Sequence, residues 1–374
     1  MRKLLTFAAL VLLLSCIVQA DPEDANSVLI RIVDCGQGLC TIIKYPGDHF
    51  IVVDAGVKVK GPNKFSYNEK LEYNSGYCAI KDQLAELIPC GPGDPAVIDL
   101  LVISHAHEDH YNAVPYIFDQ YHVNKALMTG YENDHQGYFL NKWIVDAIEN
   151  ENSSNPNGCL DVMVEDYVES IGNPDANDGI YPVFDPDGDN VDNIDLLGGW
   201  RNPPSGGDDG NETSIVIRLT YGGHSVLFTG DSCGAGQDYM VENNIDISAD
   251  VLIAPHHGSS TAMNDNFFLK IKPTYVIFSA GHFGSWSGDD YSPWQHPRQE
   301  RVGFFTREAP GGCGVVSENI FRTDWGDNEG ALECDIGRGT LDGPGDDSVD
   351  IKLNHDGTYT VEWARNDIDE HVRP

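Results

Sequence analysis

Short runs of hydrophobic residues recur along most of the chain, separated by polar or glycine-rich stretches. Runs of about four to eight apolar or β-branched residues with such borders are typical of buried β-strands. The pattern predicts strands at residues 28–34, 40–45, 49–56, 98–104, 125–130, 214–220, 225–230, 250–254 and 274–279, with further strand-like pieces at 350–354 and 358–363.

Several intervals between these strands have apolar residues at helical spacing. They predict helices at residues 79–89, 112–121, 138–149, 264–271 and 297–306. Gly222 and Gly223 stand between two predicted strands, and a two-residue glycine turn is typical of a β-hairpin. Because strands and helices alternate along the chain, the expected fold class is α/β with layered sheets.

The N-terminus and the middle of the chain depart from this pattern. Residues 1–20 combine a basic start with a short apolar run and end in small residues, which predicts a signal peptide and a secreted or periplasmic protein. Lipidation of Cys16, as in bacterial lipoproteins, is an alternative. Residues 21–374 are expected to form a single domain without a transmembrane segment, with an acidic insertion at about 150–210 and a strand-rich C-terminal extension.

Charge and cysteine content restrict the classes of function. The chain has 59 acidic and 23 basic residues, a net charge of −36, which argues against strong binding to long nucleic acids or to anionic membranes. Eight cysteines remain after residue 20, and an even number in an exported chain predicts disulfides. The candidate pairs are Cys35–Cys40 and Cys313–Cys334.

Aspartates alternate with other residues at 185–195, within the acidic insertion. Carboxylates at such spacing in a flexible loop can coordinate Ca²⁺, but this loop lacks the glycine and the glutamate that an EF-hand requires. A calcium site formed by residues 185–195 is therefore one expectation, and a solvated acidic loop is the other.

The strongest chemical signal is the sequence HAHEDH at residues 105–110, directly after a predicted buried strand. Imidazoles and carboxylates are preferred ligands of Zn²⁺ and similar metals. Because alternate residues of an extended chain point the same way, His105 and His107 can bind one metal ion. The turn that follows can direct Asp109 and His110 towards a second ion. A chance polar turn explains the cluster poorly, since histidines gathered at a strand end have little packing role.

Two further polar clusters follow predicted strands. Asp231 comes directly after the strand at 225–230, and His256 and His257 follow the strand at 250–254. Sites in layered α/β folds gather at strand ends, so these side chains are expected beside the HAHEDH motif. Asp231 can bridge two ions through its two oxygens, which predicts a two-metal site.

A series of short motifs resembles, in its order, the metallo-β-lactamase superfamily, and more narrowly the extracellular metallo-β-lactamase-type domain of ComEC DNA-uptake proteins. The motifs are VDCGQG (33–38), VVDAG (52–56), HAHEDH (105–110), NETS (211–214), TGD (229–231), APHHGS (254–259) and QHP (295–297). The resemblance covers about residues 28–335, apart from the insertion. It implies an αββα four-layer sandwich with a dinuclear metal site at one edge.

The resemblance also implies roles for individual residues. The metal ligands that it implies are His105 and His107 on the first ion, Asp109, His110 and His256 on the second, and Asp231 between the two. Asp54 would contact a metal-bound imidazole without touching the ion, and so hold that imidazole in position. The third histidine that the first ion has in the wider superfamily has no obvious counterpart, and His122 and His135 stay open as candidates. The acid that often follows the GQG turn is replaced by Leu39.

The predicted hairpin brings one more residue to this edge. With the two glycines as its turn, Ser214 stands opposite Asp231, and Asn211 lies just beyond. Asn211 is either a site residue or an ordinary turn residue and glycosylation sequon. His257 and His296 are spare imidazoles that can bind substrate charge or protonate a leaving group, and for His257 a supporting or packing role is the alternative. The candidate catalytic residues are thus Asp109, His257, His296 and Asn211.

These features predict hydrolysis by a hydroxide that bridges two divalent metal ions, with Zn²⁺ as the first choice and Mn²⁺ as the alternative. The resemblance favours a phosphodiester or phosphate ester, and the negative charge favours a small or short phosphoester over a long strand. Two alternatives stay open. One is a metallo-hydrolase of a lactone, amide or cell-wall ester, and the other is an exported domain in which metal only stabilises the fold.

Overall fold

Short strands and helices alternate along the chain, as the hydrophobic pattern predicts. The computed structural model describes residues 26–59, 66–72, 74–90, 95–131, 140, 142, 161–163, 181–186, 188, 191–202, 204–206, 210–262, 264–281, 296–307, 311–323 and 348–364. Its strands are β1 (Ser27–Ile32), β2 (Gly38–Tyr45), β3 (His49–Val57), β4 (Val97–Ile98), β5 (Leu100–Val102), β6 (His122–Val123), β7 (Lys125–Leu127), β8 (Asp161–Met163), β9 (Tyr181–Phe184), β10 (Ile194–Gly198), β11 (Val216–Tyr221), β12 (His224–Phe228), β13 (Val251–Ile253), β14 (Tyr275–Phe278), β15 (Ile320–Arg322), β16 (Val349–Asn354) and β17 (Tyr359–Trp363). Its helices are α1 (Tyr67–Glu72), α2 (Ser75–Leu87), α3 (Glu108–Tyr111), α4 (Val114–Gln120), α5 (Gly234–Glu242), α6 (Asp265–Ile271) and α7 (Gln299–Thr306).

Most of these strands form two large sheets. The first sheet has the order β17-β16-β1-β2-β3-β5-β7-β8, and the second has the order β15-β14-β13-β12-β11-β10-β9, while β4 and β6 form a separate pair. From β3 to β8 the first sheet is parallel, and from β12 to β15 the second is also parallel. Loops that follow these parallel strands leave the same edge of each sheet, which is where sites form in such folds.

Three hydrophobic cores hold four layers together. Strand β2 illustrates the pattern, since Ile43 faces the central core between the sheets and Ile42 faces the outer core against α2 and α4. On the far side, Leu252 of the second sheet packs with Phe267 of α6 and Phe304 of α7. Because each sheet is hydrophobic on both faces, the helices must cover the outer ones. The predicted αββα sandwich is confirmed.

Two helices differ from their predicted bounds. Helix α2 begins at Ser75 instead of residue 79, because the side-chain oxygen of Asn74 accepts a 3.0 Å hydrogen bond from a first-turn N–H. The helix predicted at 112–121 is α4, which begins two residues later, at Val114, with Pro115 in its first turn where proline is tolerated. A separate short helix, α3, precedes it.

A buried cation connects the first sheet to its helical layer. Arg31 of β1 forms a bidentate ion pair with Asp350 of β16, at 2.7 and 2.8 Å. It also contacts Gln83 and Glu86 of α2 at 2.7 and 3.0 Å. The Arg31 side chain is 7% exposed, so the charge depends on these partners to remain buried.

The described cysteines form no disulfide, so the predicted Cys35–Cys40 pair is wrong. Both side chains are buried, but they contact different neighbours. Cys40 stands opposite Ala55, whereas the Cys35 thiol contacts the Gly56 carbonyl oxygen at 3.8 Å. Cys334, which belongs to the other candidate pair, lies outside the described residues.

Parts of the acidic stretch at 150–210 belong to the sheets, because β8 is an edge strand of the first sheet and β9 and β10 complete the second. The C-terminal extension adds β16 and β17 beside β1. The predicted signal segment and most of the predicted helix at 138–149 lie outside the described residues. Among the helices that the structure describes, none has the length and apolar character needed to cross a membrane.

Candidate metal centre

The HAHEDH motif leaves strand β5 and turns into helix α3 at one edge of the sheets. His105, Asp109 and His110 are buried there, and His107 is the residue that precedes α3. Helix α3 packs closely on β3 because Gly56 has no side chain, and a Cβ atom there would lie 2.4 Å from the His110 backbone nitrogen. The glycine of the VVDAG motif therefore lets the histidine motif lie against the sheet.

Asp54 of β3 fixes the position of His110. A carboxylate only accepts hydrogen bonds, so His110 Nδ1 donates to Asp54 Oδ2 at 2.9 Å. Ser104 donates twice to the same carboxylate, from its hydroxyl at 2.8 Å and from its N–H at 2.7 Å. Both Asp54 and His110 are fully buried, and these bonds direct His110 Nε2 away from Asp54.

Asp231 reaches the motif through the hairpin of β11 and β12. The Asp231 N–H donates to Ser214 Oγ at 3.1 Å, which confirms the predicted register. Asp231 Oδ1 lies 3.1 Å from His110 Nε2, and Oδ2 lies 3.8 Å from His105 Nε2. The two carboxylate oxygens therefore face different histidines.

His256 and His257 lie in a tight turn after β13, in which both have a left-handed backbone. Their φ angles are 50° and 53°, and Gly258 follows at 81°. Such φ values are strained for residues with side chains, and the His256 N–H is held by the Gly230 carbonyl oxygen at 3.0 Å. Both rings reach Asp231, because His256 Nε2 lies 3.7 Å from Oδ2 and His257 Nε2 lies 3.7 Å from Oδ1.

Two groups of side chains bring their ligand atoms close enough to share a metal ion. The first group is His105, His110 and Asp231, and the second is Asp109, His110 and His257, with the ligand atoms of each group within 4.8 Å of one another. His256 flanks the first group through Asp231 Oδ2, and the His107 ring lies 4.6 Å from the His105 ring. Both groups use His110, whose Nδ1 is already bonded to Asp54, so they are two overlapping candidate positions for a metal ion.

The donor atoms of this cluster fit divalent metal ions. The buried atoms that have no hydrogen-bond partner among the described residues include Nε2 of His105 and Nε2 of His257. Leaving such atoms unsatisfied is costly unless a ligand uses them. The opposite ring nitrogens are occupied, since His257 Nδ1 bonds to the Ser279 carbonyl oxygen at 2.8 Å and His256 Nδ1 to Thr261 Oγ1 at 3.1 Å. Each imidazole is thus oriented to bind through Nε2.

Interactions inside the cluster shift the pKa values of its members. Burial lowers the pKa of His105 well below its usual value and also lowers the pKa of His257, so both imidazoles offer a lone pair. Burial acts the same way on His110, but Asp231 and Asp54 outweigh it and raise the pKa of His110 well above its usual value. Burial alone would raise the pKa of Asp231, yet the neighbouring imidazoles hold it well below its usual range. Without metal, His110 therefore keeps its proton to higher pH than His105 and His257 do.

A cavity of about 310 Å³ opens onto these ligands. The residues that line it are Gln37, Lys58, His107, Asp109, Asn211, Asp231, His256, His257, Thr261 and His296. None of these side chains is aliphatic, whereas sites for apolar molecules are lined mostly by hydrophobic side chains. The cavity therefore suits a small polar or charged group.

The structure brings the remaining candidate catalytic residues to this cavity. The His296 ring lies 6.4 Å from the His257 ring and 5.9 Å from the His256 ring. Burial, together with these neighbouring imidazoles, lowers the pKa of His296 to about 3, so that it is neutral near pH 7. A neutral imidazole can donate a hydrogen bond but has no extra proton to transfer. The predicted role of His296 as a proton donor to the leaving group therefore fits poorly. Asn211 lies in the turn before β11 and also lines the cavity.

The two adjacent histidines exchange the positions that the family resemblance implies. His257, instead of His256, lies with Asp109 and His110 in the second group, and its Nε2 is 3.8 Å from Asp109 Oδ2. The left-handed turn is the reason, because it directs His257 inwards and leaves His256 nearer the cavity mouth, with side chains 3% and 16% exposed.

The exchange supplies a candidate for the third ligand of the first ion. His256 Nε2 lies beside the Asp231 oxygen that also faces His105. His122 does not reach this position, because it pairs with β4 at the opposite end of the sheet. His135 lies outside the described residues.

Three cavity residues are absent from the sequence-based candidates, namely Gln37, Lys58 and Thr261. Gln37 belongs to the GQG turn and Thr261 follows the APHHGS motif, so their closeness to recognised motifs is the signal that was available. Lys58 begins a polar stretch after β3 and has no motif of its own.

A family comparison agrees with this geometry. The model of the metallo-beta-lactamase superfamily matches residues 33–282, which is more than half of the chain. The chain belongs to the metallo-β-lactamase superfamily. Both groups of ligand atoms lie within the matched residues, and the predicted family is confirmed.

Two similar proteins indicate a group within this superfamily. The chain is 28% identical over 132 residues to "Competence protein ComA" of Neisseria gonorrhoeae, a match that covers 35% of this chain and 16% of the relative. It is 29% identical over 114 residues to "ComE operon protein 3" of Bacillus subtilis, covering 30% of this chain and 13% of the relative. The matches thus span less than a fifth of either relative. Their names agree with the predicted ComEC resemblance.

Solved structures similar to the chain include a metallo hydrolase and a diphosphatase. Igni18, a metallo hydrolase of Ignicoccus hospitalis, is 16% identical with a TM-score of 0.34, over 68% of this chain and 82% of that chain. A diphosphatase of the PhnP family is 11% identical with a TM-score of 0.33, over 67% and 85%. At these scores the likeness carries no information about activity.

The calcium site expected at 185–195 stays a prediction. Asp187 and Asp189 lie outside the described residues. Asp185 Oδ1 accepts a backbone N–H of its own loop at 2.8 Å. Asp192 Oδ1 accepts the Gly222 N–H at 2.9 Å and so holds the hairpin turn.

Proposed function

We propose that the protein is an exported, dinuclear metallo-hydrolase that cleaves a phosphodiester or phosphate ester. The observation that carries the proposal is that the two oxygens of Asp231 face different histidines, with His110 and His257 beside Oδ1 and His105 and His256 beside Oδ2. Divalent ions bound there, Zn²⁺ or Mn²⁺, would supply a water of lowered pKa and a Lewis acid for the scissile ester.

The side chains of the centre divide into ion-binding and substrate-binding residues in this proposal. The ligands proposed are His105, His107 and His256 for the first ion, Asp109, His110 and His257 for the second, and Asp231 for both. Asn211 and His296 line the cavity beside them and would orient the ester by hydrogen bonds. His296, neutral near pH 7, would donate its N–H to the departing oxygen instead of a full proton.

The dimensions and charge of the molecule favour a small or short phosphoester. A cavity of about 310 Å³ lined by polar and ionisable residues can hold a phosphoryl group and its nearest substituents. A longer polyanion would have to run over a chain whose net charge is −36, which repels it. Strong binding of long nucleic acids is therefore not expected.

Hydrolysis of a small chromogenic phosphodiester tests the proposal. Purified protein supplied with Zn²⁺ or Mn²⁺ should release the chromophore, and Asp231→Ala should reduce the rate to that of buffer, because it removes the carboxylate between the ion positions. Asp238→Ala serves as the matched control. Asp238 is an exposed carboxylate on α5 whose contact is Asn264, so this variant should keep the wild-type rate.

Two results would contradict the phosphoester assignment. Turnover of a lactone or β-lactam without turnover of any phosphoester would leave a metallo-hydrolase of a different substrate class. Two bound ions with no turnover of any of these substrates would support the alternative in which metal only stabilises the fold. Elemental analysis of the same samples distinguishes both results from simple failure to bind metal.

A further inference from the structure

Lys58 lies in the wall of the metal-centre cavity, directly after β3. Among the described residues that line the cavity, it is the one lysine, and none is an arginine. A lysine ammonium is a compact, fixed positive charge with strong affinity for oxyanions. Its presence beside the ligands calls for a physical account, since no sequence motif explains it.

Contacts of both its backbone and its ammonium group hold Lys58 in this position. Its N–H donates to the Gln37 carbonyl oxygen at 2.6 Å, and its carbonyl oxygen accepts from Asn74 Nδ2 at 3.2 Å. Its Nζ lies 3.3 Å from Glu108 Oε1 and 3.6 Å from Asp109 Oδ1. Backbone and ammonium are therefore both positioned before a ligand arrives, which lowers the entropic cost of binding.

The two carboxylates do not use the whole ammonium. A lysine ammonium has three N–H donors, and Glu108 and Asp109 offer acceptors for two of them. The Lys58 side chain is 30% exposed, so a third acceptor can approach. Asp109 presents its other oxygen, Oδ2, to His257, so one carboxylate connects the ammonium to the second group of ligands.

We propose that Lys58 binds a charged oxygen of the substrate, so that the site selects anionic esters over neutral ones. The proposal rests on the proposed function for the identity of the scissile ester and adds the residue that recognises its charge. The ammonium lies beside Asp109 and therefore beside the second ligand group. A phosphoryl group held by those ligands would place an oxygen within reach of a charge-assisted hydrogen bond.

A purely structural role for Lys58 predicts different behaviour. If the ammonium only orients Asp109, its removal would weaken the second metal site and would affect anionic and neutral ligands alike. If it binds the substrate anion, its removal would leave the metal content intact and weaken only anion binding.

Calorimetric titration of inorganic phosphate into metal-loaded protein separates these roles, and elemental analysis gives the metal content of each sample. Lys58→Met should raise the Kd for phosphate by about ten- to a hundredfold, since a hydrogen bond to a charged partner is lost. Lys58→Arg should stay near the wild-type value. Lys44→Met is the matched control, because it removes one positive charge near the end of β2 that lies away from the cavity. It should not change the Kd for phosphate. Lys58→Gln is a second neutral variant should the Met variant fail to fold.

Several outcomes decide the proposal. Wild-type Kd in the Met or Gln variant with metal retained would overturn it, as would a weakened Kd that tracks a loss of metal. Lys58-dependent phosphate binding in a protein that hydrolyses no phosphoester would support it while the proposed function fails. Turnover of phosphodiesters with no dependence on Lys58 would overturn this proposal alone.

Discussion

Replacement of Asp54 by asparagine should weaken metal binding without disturbing the fold. Asparagine has the same size as aspartate and tolerates the left-handed backbone found here, where φ is 56°. The change converts an acceptor into an NH₂ donor that faces His110 Nδ1. That donor requires a lone pair on Nδ1, so the His110 proton must sit on Nε2, the nitrogen that a metal ion needs.

The expected loss follows from the contacts of Asp54. Its carboxylate accepts the 2.9 Å bond from His110 and the two Ser104 bonds at 2.7 and 2.8 Å, all buried. Loss of such a partner behind a ligand histidine lowers metal affinity by about ten- to a hundredfold. That corresponds to about 1.4–2.8 kcal/mol of binding free energy. The second ion should be affected more than the first, because Asp54 does not contact His105.

Competition with a chromophoric chelator measures the two affinities separately. Asp99→Asn is a matched control, because Asp99 also contacts a histidine, His49 Nδ1 at 3.2 Å, and a backbone N–H, yet lies before β5 and away from the centre. It should leave both metal affinities unchanged. Equal affinities in wild type and Asp54→Asn would show that the orientation of His110 by Asp54 does not matter for metal binding.

Two further predictions concern pH and stability. Asp231 and Asp54 outweigh burial and raise the pKa of His110 above 6.5, so a metal ion that binds His110 must displace a proton. The affinity of the second ion should therefore rise by about tenfold per pH unit beyond pH 7, until the pH passes the raised pKa. Chelator competition follows this rise, and a plateau from pH 7 upwards would contradict the prediction. Arg31→Met should lower the free energy of unfolding by about 3 kcal/mol, because the Asp350 carboxylate, which is only 15% exposed, loses its ion-pair partner. Urea denaturation measures this loss, and an unchanged midpoint would mean that the ion pair is dispensable.

The sequence is sufficient to predict features that depend on local pattern. The hairpin around Gly222 and Gly223 illustrates this, because a two-residue turn fixes the register of every pair that follows and so predicts that Ser214 meets Asp231. The motif HAHEDH is equally local, since its ligands follow a single strand. The fold class follows from the alternation of strands and helices.

Features that depend on backbone direction or on distant contacts are not readable in this way. The choice between His256 and His257 depends on a left-handed turn, and nothing in the letters PHHG specifies which ring points inwards. Lys58 joins the site only because β3 ends beside α3. The acidic stretch at 150–210 is weakly patterned, yet β10 pairs with β11 and β9 pairs with β10, so this stretch completes the second sheet.

The charges close to the metal centre and the acidic residues spread over the rest of the surface affect different substrates. The negative net charge therefore disfavours some substrates and not others. Salt screens exposed charges beyond about 8–10 Å, so most of the 59 acidic residues contribute little to the potential inside the cavity. Within that distance stand the carboxylates of Asp54, Glu108, Asp109 and Asp231 and the ammonium of Lys58, and two bound divalent ions would outweigh them and make the local charge positive. A small phosphoester experiences mainly this local field, whereas a long strand must also cross the acidic surface. The net charge of −36 is therefore an argument about substrate length, and it leaves the capacity of the centre to bind a single phosphoryl group unaffected.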